Sequence, residues 1–134
     1  MARGARVVAT APVATPAIFP PTVLVDVPDD ARAMREETFG PAVAVLRVDS
    51  EQDALRLAND SMYGLAAYVY TGDSERGQTF ARGLEYGGIG INVNDVTELD
   101  APFGGWKMSG FGRDLGPEAL LGMTEPQHIR TRLP

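Results

Sequence analysis

Cysteine is absent from the 134 residues. No disulfide, thiolate metal site or thiol nucleophile can therefore be built within this chain. Histidine occurs once, as His128 near the C-terminus. A Ser-His-Asp site would have to use that imidazole, and no GxSxG elbow is present to seat a serine. A catalytic base needs its nucleophile beside it, so His128 reads as a surface or interface residue. Basic clusters are missing too. The net charge is −6 and the 12 Lys and Arg residues are scattered, which leaves no stripe for a nucleic acid. No apolar run approaches the roughly 20 residues that span a bilayer. The start, MARGARVVATAPVATPAIF, lacks the continuous apolar centre of a secretion signal. The expectation is a cytoplasmic protein with neither nucleic acid nor membrane as partner.

What remains suits one globular domain. The chain is 44% hydrophobic and 22% charged, enough apolar material for a core and too little charge for disorder. Arg6 to Thr10 (RVVAT) reads as a short strand, and Pro12, Pro16, Pro20 and Pro21 then hold the chain extended. Thr22 to Val27 (TVLVDV) is β-branched and reads as a strand that Pro28 ends. Ala31 to Glu36 is expected to make one helical turn. Ala42 to Val48 (AVAVLRV) is apolar in the manner of a strand buried on both faces.

Ser50, with Asp53 three residues on, resembles a capping box, and Leu55, Ala58 and Met62 follow at helical spacing until Tyr63-Gly64. Leu65 to Thr71 (LAAYVYT) is a second strand of this series. Asp73 or Ser74 caps a second helix with Gly77, Phe80, Ala81 and Leu84 on one side, which Gly87-Gly88 ends. Ile89 to Val93 (IGINV) is a third strand. This order predicts an α/β fold with a mostly parallel sheet built from a βαβαβ unit, whose ligands sit beyond the carboxyl ends of the strands. Asn92 to Thr97 lie at such an end. A short helix around Glu118 to Leu121 and a last strand, His128 to Leu133, complete the reading.

Two stretches could carry chemistry. The loop APFGGWKMSGFGRDLG, Ala101 to Gly116, is glycine-rich. It is either a surface loop needing tight turns or a rigid pocket wall with Phe103 as an apolar contact. It has no GxGxxG and no P-loop pattern, so it is not a phosphate cradle. The stretch REETFGP sets Glu36 and Glu37 just before Phe39. The pair could be solvated, could serve as general acid and base, or could accept hydrogen bonds from sugar hydroxyls. Adjacent residues of an extended chain point to opposite sides, which disfavours a joint dyad. A carboxylate accepting from a ribose diol beside an aromatic that packs a flat ring suits Glu37 and Phe39.

EETFGP, ALRLANDSMYGLAAYVYT, INVND and PFGGWKMSGFGRDLG, in that order between Pro21 and Gly116, resemble the aldehyde dehydrogenase superfamily. The resemblance implies an NAD(P)-dependent enzyme that oxidises an aldehyde to a carboxylic acid. It assigns Glu37 to the nicotinamide-side ribose and Phe39 to the nicotinamide ring. It gives Phe103, Thr97 and Leu99 to the aldehyde pocket, and gives Asn92 a loop-holding role. It makes residues 1–127 the C-terminal portion of a catalytic domain and 128–134 an oligomerisation strand. Arg113 and Glu125 fall where the family supports its interfaces.

The resemblance also implies what is missing. The family's nucleophilic Cys, its general-base Glu, its oxyanion Asn and its main cofactor domain all precede EETFGP, and only 36 residues precede Glu37 here. The chain thus reads as a fragment that is inactive alone. Its expected partners are the missing N-terminal part of the enzyme or further copies in a homo-oligomer. The alternative is a non-catalytic remnant acting as a binding or oligomerisation module.

Overall fold

The computed structural model describes residues 4–12 and 15–133. They fall into two units, Met1–Asp53 and Ala54–Pro134. Among them no helix is long and apolar enough to cross a membrane.

The first unit is a three-stranded sheet in the order β1-β2-β3, with β1 at Arg6–Thr10, β2 at Thr22–Val25 and β3 at Ala42–Ala44. β1 runs antiparallel to β2, and a bulge lies between Val7 and Ala9. β2 and β3 are parallel, with Val23 opposite Val43. Thr22 is buried because both its polar ends are satisfied. Its N–H donates to the Pro41 carbonyl at 2.8 Å and its hydroxyl to the Pro20 carbonyl at 2.8 Å. The helical turn α1 spans Arg32–Arg35 between β2 and β3. β3 is shorter than the apolar run that predicts it. Its ladder stops at Ala44, and the N–H of Val45 makes the last bond, to the Leu24 carbonyl at 2.8 Å.

Helix α2, Glu51–Asn59, begins in the first unit and runs into the second. Its start follows the expected cap. The Ser50 hydroxyl accepts from the Asp53 N–H at 3.1 Å and donates to the Asp53 carboxylate at 2.8 Å.

The second unit holds β4 (Tyr63–Gly64), β5 (Ala66–Val69), α3 (Ser74–Arg82), β6 (Gly88–Ile91), β7 (Trp106–Lys107) and α4 (Gly116–Gly122). β5 and β6 pair in parallel from Ala66 opposite Gly88 to Val69 opposite Ile91. This is the crossover unit that the sequence predicts, with Asp73 as the cap accepting from the Arg76 N–H at 3.0 Å. Helix α3 can lie close to the sheet because Gly77 has no side chain. A Cβ there would stand 2.9 Å from Thr71 Cγ2 and 3.1 Å from Ile91 Cγ2.

The α/β class is as expected, and three details differ. The first strand of the anticipated βαβαβ run pairs with β2, while β5 and β6 form their own two-stranded ladder. Helix α3 ends at Arg82, five residues before Gly87, because Gly83 tucks against the Leu55 side chain of α2. His128 to Leu133 is exposed and forms no strand, since no edge within the described residues pairs with it. A strand is defined by its neighbour, and this segment has none here.

Candidate functional site

In the first unit, α1 ends with its chain turning extended at Glu36 (φ −106, ψ 148). Arg32 lies one helical turn back and grips Glu36 with both ends of its guanidinium fork, at 2.8 to 3.0 Å. These hydrogen bonds, with the charge of Arg32 behind them, hold the Glu36 carboxyl below its usual range. Glu37 is different. It is exposed and, among the described residues, its carboxylate has no hydrogen-bond or ion-pair partner. Phe39, two residues on, is 95% exposed. The paired acids therefore divide: one is consumed locally and the other is left as a free acceptor beside a bare ring. The i,i+4 spacing of Arg32 and Glu36 is the sequence signal for that division. The corner sits at the amino end of β3, before the strand begins.

In the second unit the chain leaves β6 through Asn92, whose φ of +56° lies in the left-handed region that Asn tolerates better than most residues. Its side-chain amide clamps one peptide group of the neighbouring strand end. Asn92 Oδ1 accepts from the Thr71 N–H and Asn92 Nδ2 donates to the Thr71 carbonyl, both at 2.8 Å. The ends of β5 and β6 are thus tied by one residue.

Asp95 then organises the next turn. Its Oδ1 accepts from the Thr97 N–H at 2.8 Å and from the Thr97 hydroxyl at 2.5 Å. These bonds, the hydroxyl first, hold the Asp95 carboxyl below its usual range. Because the folded pKa is depressed, the charged carboxylate supports the ordered turn at and above ordinary carboxylate pH. That support is lost as pH falls through the lowered value. We expect the Thr97 amide resonance to titrate with a midpoint below the ~3.9 of an ordinary aspartate and to stop titrating in Asp95→Asn. A midpoint at the ordinary value would show that the turn does not depend on this carboxylate.

The glycine-rich loop closes on itself. Phe103 and Asp114 exchange both backbone hydrogen bonds, at 2.7 and 2.8 Å, and the Gly116 N–H reaches the Leu99 carbonyl at 3.1 Å. Phe103 is half-buried and lines a cavity of about 410 Å³ with Leu65, Phe111, Arg113 and Met123. Arg113 faces inward to its own loop, donating to the Gly105 and Gly112 carbonyls at 3.2 and 2.5 Å. Of the three expected pocket residues, the cavity takes Phe103 alone. Thr97 and Leu99 sit outside its lining, and Leu99 is 88% exposed.

Sequence reasoning missed the residue that anchors this loop. Lys107, the one lysine of the chain, has φ +53° and a largely covered side chain. Its ammonium donates to the Asn59 carbonyl at 2.9 Å and the Ser61 carbonyl at 3.1 Å, and pairs with Glu85 at 2.6 Å. All three donors of the cation are used, one of them on the Asn59 carbonyl that ends α2, where the helix dipole favours positive charge. The Tyr86 hydroxyl covers the adjacent Ala58 carbonyl at 2.7 Å. Carbonyls left over at a helix end need such donors, but only the fold reveals which distant side chains supply them.

A sequence model of the family described as "Aldehyde dehydrogenase family" matches residues 1–129. The succinate-semialdehyde dehydrogenase of Paenarthrobacter nicotinovorans is 46% identical over 120 residues, which are 89% of this chain and 27% of that protein. The geranial dehydrogenase of Castellaniella defragrans is 47% identical over 100 residues, 75% of this chain and 21% of its own length. Among solved structures, the NAD+ complex of an aldehyde dehydrogenase from Bacillus cereus superposes with a TM-score of 0.85 at 43% identity, covering 92% of this chain and 26% of that one. The Mycobacterium tuberculosis aldehyde dehydrogenase complexed with NAD+ gives 0.84 at 39% identity, with the same coverage of 92% and 26%. The chain spans about a quarter of the length of these relatives.

Proposed function

The chain belongs to the aldehyde dehydrogenase family, and from that premise we propose that it supplies part of the site of an NAD(P)-dependent oxidation of an aldehyde to a carboxylic acid. The observation that carries this reading is the corner before β3, where the Glu37 carboxylate is free and the Phe39 ring is bare. A ribose diol needs an acceptor with open lone pairs, and a flat heteroaromatic ring needs an apolar surface. The two residues offer those chemistries two positions apart. The family resemblance assigns them to the nicotinamide-ribose end of a dinucleotide. When bound, the nicotinamide accepts hydride. Glu37 would accept from its ribose hydroxyls and Phe39 would limit the movement of its ring.

Thr97, Leu99 and Phe103 are the proposed aldehyde contacts. The fixed Asp95–Thr97 turn and the Phe103–Asp114 bridge support this by giving the loop a defined shape. Residues 128–134 are proposed as an assembly segment of a cytoplasmic enzyme; His128 to Leu133 is exposed, with Ile129 and Leu133 as its uncovered apolar residues. The relatives matched above carry dehydrogenase names, so the reading as a non-catalytic module gains nothing from them.

The test is a chimera in which this chain replaces the matched segment of the Paenarthrobacter enzyme. It should oxidise aldehydes. Within it, Glu37→Gln removes a charge-assisted acceptor worth roughly 1.5–3 kcal/mol. The loss expected in kcat/KM for the cofactor is about ten- to a hundred-fold, with Phe39→Ala affecting the same parameter. Unchanged cofactor kinetics in both variants would refute the assignment.

A further inference from the structure

Lys107 stands where a side chain is costly. Its φ of +53° lies in the left-handed region, which strains a residue with a Cβ and leaves glycine unstrained. The glycine-rich loop fills other left-handed positions with Gly110, Gly112 and Gly116, and one with Leu115. At position 107 it carries the one lysine of the chain. A strained backbone persists where its surroundings fix it. Here the side chain supplies the fixing contacts.

The ammonium joins segments that are far from it in sequence. It donates to the Asn59 carbonyl at the end of α2, to the Ser61 carbonyl, and to the Glu85 carboxylate ahead of β6, at 2.9, 3.1 and 2.6 Å. The Asn59 side chain closes the same junction from the other side. Its Nδ2 donates to the Gly83 carbonyl at 2.8 Å and its Oδ1 accepts from the Glu85 N–H at 3.0 Å. An ion pair on the open surface would contribute little. This one is tied to two backbone carbonyls, and the lysine side chain is only 24% exposed. Removing the ammonium takes the shared donor from all three acceptors at once.

What the junction holds is the stretch beside Phe103, which lies four residues before Lys107. Between them, Gly104 packs against Gly87 too closely to admit a Cβ. Just after Lys107, the Met108 N–H donates to the Met62 carbonyl at 2.8 Å, and the Ser109 hydroxyl accepts from the Gly64 N–H at 3.0 Å. The Phe103–Asp114 bridge sets the shape of the loop. The Lys107 junction sets where that shape sits on α2 and on the entry to β6.

The geometry points to Lys107 as a positioning residue for the aldehyde pocket: its ammonium fixes the glycine-rich loop against α2 and the entry to β6, and with the loop the place of Phe103. The inference rests on the reading that Phe103 meets the aldehyde. Lysine suits the task because its three donors radiate from one compact charge, and the acceptors converge on that charge from separate segments.

Two experiments separate the anchor from the pocket. In the 134-residue chain, the Lys107 amine should be acylated by an N-hydroxysuccinimide ester about ten-fold more slowly than N-acetyl-lysine, because it must first leave its acceptors. Lys107→Met keeps the apolar stem and removes the charge. Amide exchange at Met108 and Gly64, which bond across the junction, should then speed up about ten-fold or more, and the emission of Trp106 should shift. In the chimera described above, Lys107→Met should raise the aldehyde KM about ten-fold and leave the cofactor KM unchanged. Destabilisation alone lowers the active fraction, and so kcat, without moving KM. Glu85→Gln keeps the shape and an acceptor, should give the same pattern on a smaller scale, and stays readable if Lys107→Met fails to fold. Acylation at the rate of the free amine, or unchanged exchange at Met108 and Gly64, would overturn the anchor. A chimera with Lys107 intact that oxidises no aldehyde would refute the proposed function and the pocket role together. An active chimera whose aldehyde KM stays the same in both variants would refute the pocket role alone.

Discussion

Purified as these 134 residues, the chain is expected to give no sustained reduction of NAD or NADP with any aldehyde. Two deficits lead to the same result. The chain has no cysteine, so it cannot form the covalent adduct by which the family activates its substrate. The residues assigned to the cofactor reach only one end of a dinucleotide, and positioning reactants can itself be worth effective molarities of about 10⁵ to 10⁸ M. Either loss alone would take turnover below detection. The assay is absorbance of reduced cofactor with a panel of aldehydes, against a heat-treated sample. Turnover above that control would mean that another group in this chain does the work of the thiol. The chimera then becomes the positive control: activity there and silence here would locate the deficit outside these residues.

The parts of the fold legible in the sequence are those set by neighbouring residues. Ser50 with Asp53, and Asp73 before Ser74, announced their helices because a cap needs only its own first turn. β1, β5 and β6 fell close to their β-branched or apolar runs. What could not be read depends on residues far away in the chain. AVAVLRV has the composition of an interior strand, yet its ladder with β2 stops at Ala44 and no described strand pairs with its other side. His128 to Leu133 reads as a strand and pairs with nothing among the described residues. The two-residue ladder of Tyr63–Gly64 with Trp106–Lys107 has no local signal at all.

The candidate site divides along the same line. The motifs pointed to Glu37, Phe39 and Phe103 directly. The release of Glu37 depends on Arg32 holding Glu36 at helical spacing, which is local and could have been read. The anchoring of the glycine-rich loop depends on Lys107 meeting Asn59, Ser61 and Glu85, and no local pattern encodes that meeting.

Gly87→Ala should be among the most damaging single substitutions in the chain. A Cβ at Gly87 would lie 1.7 Å from the Gly104 carbonyl oxygen and 2.9 Å from its carbon. Both contacts are backbone, so no side-chain rotation can relieve them. Gly87 is itself held in place, its N–H donating to the Gly64 carbonyl at 3.0 Å. Room can be made only by moving the turn that enters β6 or by moving the glycine-rich loop next to Phe103. Overpacking of a well-fitted site usually costs about 1–3 kcal/mol, and a clash between two backbone segments belongs at or above the top of that range. A loss of about 3 kcal/mol or more is expected, read as the urea midpoint of the chimera, together with a fall in activity from displacement of Phe103. Gly122→Ala is the comparison. A Cβ there meets nothing within 4 Å, and alanine in place of glycine in a helix gives a gain of up to about 1 kcal/mol. Equal midpoints for the two variants would show that the Gly87–Gly104 approach is not a fixed contact, and that the glycine-rich loop is free to move away from β6.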